Sequence, residues 1–103
     1  MKIIEYLSEK IEDEIEDATD YAKNAIADKV MYPWLSEVLY SISTDECKHK
    51  QMLHDAVVRL IKEYRERTGE PPADMLARYD YLHKKHIEAA KEAKLYQDIY
   101  RES

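Results

Sequence analysis

Asp28-Lys29-Val30-Met31-Tyr32-Pro33 separates two long runs of helically spaced apolar residues. Pro33 has no backbone donor and pushes Tyr32 out of the α region, so one helix ends before it and another starts at it. Working outward, Thr68-Gly69-Glu70-Pro71-Pro72 makes a second break, with the only Gly placed as a helix cap and the paired prolines opening the next segment. The spacing predicts three helices over roughly 2–28, 33–67 and 72–101, each far longer than the globular mean of about 12 residues. The expected fold class is all-α, in a single domain over 1–103.

Composition narrows the function classes. With 45% hydrophobic and 37% charged residues, the chain has enough apolar side chains to fold. A single Gly excludes Gly-rich phosphate loops, tight β-hairpins and sandwiches, which need positive φ. A single Cys excludes a disulfide framework and a thiolate zinc site within one chain. The opening MKIIEYLSEK lacks the apolar core of a signal peptide, and no run approaches the roughly 20 apolar residues of a membrane span. The expectation is a cytoplasmic protein that engages neither membrane nor, at a net charge of −6, nucleic acid. That charge favours cationic partners, although it is also an ordinary route to solubility.

Apolar residues recur at alternating steps of three and four, giving each helix a stripe. The first carries Ile4, Leu7, Ile11, Glu14, Ala18, Tyr21 and Ala25; the second carries Leu35, Leu39, Ile42, Glu46, His49, Leu53, Ala56, Leu60 and Tyr64. The third carries Leu76, Tyr79, His83, His86, Ala90, Ala93, Gln97 and Tyr100. Glu14, Glu46 and His49 are intruders, because an ionised group withdrawn from water is costly unless something compensates it. A short break near residue 31 makes the first two helices antiparallel. At about 1.5 Å per residue, all three intruders then stand roughly 23–27 Å from the turn and meet at one level.

Metal binding by hard oxygens and an imidazole suits this arrangement. A Glu-x-x-His pair sets both side chains on one helical face, and a facing carboxylate closes the set. Iron, manganese and zinc all suit these ligands. A di-metal carboxylate centre takes a Glu from each of two helices and Glu-x-x-His from each of two others. One chain supplies half of that pattern, and a two-fold homodimer supplies the rest. Three long rods with uncovered stripes likewise predict an obligate dimer or a higher even-numbered assembly.

Glu14 with Tyr21 seven residues on, then Tyr32-Pro33, then Asp45-Glu46-Cys47-Lys48-His49, resembles the first helical hairpin of the ferritin-like superfamily. The style is that of rubrerythrins and of the half-length ferritins housed in encapsulin shells, over about residues 5–60. The resemblance implies an antiparallel hairpin that dimerises into a four-helix bundle around a non-haem di-iron or di-manganese site, two metals per dimer. It further implies redox work with dioxygen or peroxide, with Glu14 a metal ligand, Glu46 a bridging ligand and His49 a terminal one, and all three catalytic. Ferroxidase activity ranks above peroxide reduction, because the chain carries no redox module of its own. Full-length members repeat the Glu and Glu-x-x-His in one chain, and the third helix has neither in register.

The competing class is a metal-free helical interaction or adaptor module, in which the same three residues form a buried polar network that fixes dimer register. Residues 9–20 hold seven acids against one Lys, either a solvated face or a surface that focuses cations. Tyr21 is either core packing or a donor to a ligand carboxylate, Cys47 a structural thiol, and Trp34 a core or interface residue. Folding the third helix back from the turn near residue 70 places His86 roughly level with His54, which makes a second metal site geometrically possible; hydrogen-bonded or interfacial roles are the alternative for His54, His83 and His86.

Overall fold

The computed structural model describes all residues, Met1–Ser103, as three helices with no strand: α1 (Lys2–Asp28), α2 (Pro33–Thr68) and α3 (Ala73–Glu102). Pro33 occupies the first turn of α2, where its missing donor costs nothing, behind a Tyr32 held out of the α region at φ −134° and ψ 69°. α2 runs to Thr68 and is stopped by Gly69, whose φ of 93° favours glycine and whose N–H donates to the Arg65 carbonyl at 3.1 Å.

α1 is the shared element: it packs against both α2 and α3, while α2 and α3 touch little. The molecule is a rod of 56 × 19 × 18 Å with a radius of gyration of 16.5 Å, against about 13 Å for a compact domain of this size. No helix is long and apolar enough to cross a membrane.

The buried stripe of α1 is Ile4, Ser8, Ile11, Ile15, Ala18, Ala22 and Ala25. It alternates steps of four and three as expected, but Ser8, Ile15 and Ala22 replace Leu7, Glu14 and Tyr21, which sit half-buried on its flank. α2 shows the same displacement by one residue, burying Ser36, Ser43, Val57 and Ile61 in place of Leu35, Ile42, Ala56 and Leu60. The reason is close approach. Ser36 and Ser43 are fully buried, and their hydroxyls donate to the carbonyls of Ala25 and Ala18 respectively, the latter at 2.6 Å. Small side chains at these levels let the two backbones come together. Further from the turn, Ile4, Ile11, Ile15, Val57 and Ile61 form the apolar core. As residue numbers rise along α2, the partners on α1 fall.

In α3 the buried residues His86, Ala93, Gln97 and Tyr100 all belong to the expected stripe. Gln97 donates to Ser43 Oγ at 2.9 Å, and Tyr100 stacks on Tyr40 with ring centroids 4.4 Å apart. Trp34, by contrast, is 68% exposed, as are Val38 and Met52 in large part on the same helix.

Candidate metal centre

Glu14 reaches the centre from the middle of α1, and Glu46 and His49 from one turn of α2. The structure brings these three together, with one ligand atom from each lying within 4.8 Å of the others, and no other group of three or more His, Cys, Asp or Glu side chains converges in this way. His49 Nδ1 stands 3.5 Å from Glu14 Oε2 and 3.8 Å from Glu46 Oε1. The carboxylates are mostly withdrawn from solvent, at 25% and 17% side-chain exposure, whereas the imidazole is 53% exposed. The centre therefore lies at the edge of the α1–α2 contact, open on one side.

Two features mark the centre as electrostatically unfinished. Glu14 Oε2 is buried and accepts no hydrogen bond, a costly condition for a carboxylate oxygen. Glu46 is pushed up to about 7 because a proton on it favours the facing Glu14 carboxylate, then by burial and by the Glu14 charge, with Asp17 adding a little; only His49 opposes this. Two carboxylates facing each other cannot both ionise cheaply. A divalent cation would satisfy the orphaned oxygen and let both carboxylates ionise. Ligand atoms bound at about 2.0–2.2 Å lie no more than about 4.4 Å apart, so a side-chain adjustment of a fraction of an ångström would close the set. The residues present thus fit a metal of the iron, manganese or zinc kind.

The other candidates lie elsewhere. Cys47 is half-buried and faces α3, accepting a hydrogen bond from Gln97 Nε2 at 3.3 Å, as a structural thiol would. Tyr21 is half-buried beside the stripe. His54 stacks on His83, with centroids 4.8 Å apart, and His83 on Tyr79 at 5.8 Å, while His86 is buried. The ring stacked on His54 is thus that of His83, one turn before the His86 that helix rise places at its level. No family model, no curated protein and no solved structure matches this chain.

Proposed function

We propose that this chain is a ferritin-like metal-binding protein, two copies of which pair their α1–α2 hairpins into a four-helix bundle and share a di-metal centre built from Glu14, Glu46 and His49 of each. The observation that carries the reading is the convergence of these three side chains around a buried carboxylate oxygen with no hydrogen-bond partner. The flank on which they lie supports the pairing. Leu7 and Tyr21 on α1 and Leu35, Ile42 and Leu53 on α2 are half-buried there, beside the exposed Val38 and Met52. A second copy would cover this face and complete the ligand set.

The reaction we assign to the pair is oxidation of ferrous iron by dioxygen. Two Fe(II) each give up one electron, and dioxygen takes both electrons with two protons and leaves as hydrogen peroxide. Within the chain, Glu14 and Glu46 would hold the cation through carboxylate oxygens, Glu46 giving up its proton to do so, and His49 would supply a nitrogen ligand. The exposed acids on the same helix as Glu14 concentrate cations at its surface.

A second reading rests on His49. Its ring nitrogen stands 3.5 and 3.8 Å from the two carboxylates and offers them a polar partner without any metal, as a metal-free interaction module requires. Metal analysis after purification without chelator separates the two. The first reading expects close to one iron or manganese per chain, oxygen consumption with ferrous iron above buffer, and loss of both in Glu14→Ala, Glu46→Ala and His49→Ala. A wild type that binds no added ferrous iron leaves only the second.

A further inference from the structure

α2 and α3 diverge around a cavity of about 550 Å³ that the metal centre does not enter. α2 turns Cys47, Lys50 and His54 toward it, on a different face from Glu46 and His49. Its charge is opposite to that of the whole molecule. The chain has 22 acids and 16 Lys and Arg, yet Lys50, Lys91, Lys94, Arg101 and three histidines line this cavity and no carboxylate does. Lys91 is held by Glu88 at 3.0 Å, and Arg101 by Asp98 and by the Tyr40 hydroxyl. Lys50 and Lys94 belong to none of the chain's ion pairs.

The cavity has two chemically distinct ends. At one, the lining rings of His54 and His83 stack beside Ile87, with Tyr79 stacked on His83 from outside the lining. At the other, Gln97 meets Cys47. Lys50 on α2 and Lys91 and Lys94 on α3 fall between these levels in sequence. A divalent cation is disfavoured here, since the lining offers it four cationic side chains, two of them outside any ion pair, and no carboxylate ligand. The volume is also far larger than the roughly 30 Å³ share of a water molecule and lies in the range of small-ligand sites.

We propose that this cavity binds a small aromatic anion, with its carboxylate or phosphate against Lys50 and Lys94 and its flat ring on the His54–His83 stack. Burial holds His54 and His86 below the ordinary histidine value, so near neutral pH these imidazoles offer stacking surface and hydrogen bonds, and the lysines supply the charge.

The inference goes beyond the metal reading and is tested with chelator present throughout. The full chain is titrated calorimetrically at low salt with AMP, 2-naphthoate and inorganic phosphate. AMP or 2-naphthoate should bind once per chain, at least about tenfold tighter than phosphate, and Lys50→Gln with Lys94→Gln should weaken it at least about tenfold. The imidazole proton resonances of His54 and His83 should shift on binding, a readout independent of the lysine variants. Circular dichroism establishes that the double variant is folded. The proposal is overturned if neither aromatic probe binds at about 1 mM, if the folded double variant binds as tightly as wild type, or if phosphate alone binds as tightly as both aromatic probes.

Discussion

At the scale of single residues, Glu46 is the group whose behaviour should be most visible in solution. Its folded-state value near 7 lies above the ordinary 4.5, so the folded chain holds a proton there that the unfolded chain has released. Glu46 therefore contributes stability that is fully present below pH 4.5 and is lost as pH rises through about 7. His54 and His86, held low by burial, act in the opposite direction, so the comparison must cancel them. Melting temperatures of metal-free wild type and Glu46→Gln, measured in chelator, should lie closest at pH 5 and separate toward pH 8, with wild type losing stability relative to the variant as Glu46 ionises. The variant should show the weaker decline; parallel curves would mean that Glu46 is an ordinary carboxylate. Removing the charge at the orphaned oxygen is a second test. Glu14→Gln keeps the shape but should cost at least about tenfold in ferrous or manganous affinity, about 1.4 kcal/mol, by equilibrium dialysis. The convergence of Glu14, Glu46 and His49 was legible in the sequence because helix rise and a Pro-marked turn determine which residues share a level. The exposure of His49 was not, because level says nothing about how far round the helix the contact lies.

At the scale of elements, the expected and observed stripes of α1 and α2 differ by one residue while keeping the same rhythm. Close approach at Ser36 and Ser43 accounts for α2, and α1 has the further reason that it serves two partners. Its most buried line must face both α2 and α3, whereas the apolar pattern marks a broader arc whose edge includes Leu7 and Tyr21. Serine and alanine carry little hydrophobic signal, so Ser36, Ser43 and Ala22 looked indifferent in sequence. In the structure they are fully buried and set how near the helices come. Enlarging them should therefore be destabilising out of proportion to their chemistry. Ala22→Leu is expected to cost about 1–3 kcal/mol by overpacking, a fall of roughly 4–8 °C in Tm per kcal/mol for a chain of this size. Ser43→Ala, which loses both the hydroxyl bond to Ala18 and the acceptor for Gln97, should cost about 1–3 kcal/mol. An Ala22→Leu variant that melts with wild type would mean that the helices stand further apart than Ser43 and Ala18 imply.

At the scale of the whole molecule, a three-helix rod leaves one side of the α1–α2 contact without a partner. α3 covers the other side through α1, Gln97 and Tyr100. At about 100° per residue, Val38 and Met52 project from α2 on the same side as His49, and they are 46% and 68% exposed. Neither contributes to the apolar core, so lysine can replace both with little effect on a single chain. If a second copy lies over this face, Val38→Lys with Met52→Lys should shift wild-type dimers to monomers in light scattering while helicity is retained. The same variant should lose metal, because its half-centre no longer meets its mate. Adding metal to wild type at 100 times its dissociation constant should stabilise the fold by about 2.7 kcal/mol, reversed by chelator, and the lysine variant should show little of this gain. Loss of dimerisation without loss of metal would make each chain's centre self-sufficient and mononuclear. A variant that stays dimeric and metal-loaded would place the pairing surface on another face of the rod, and the shared centre would have to be abandoned.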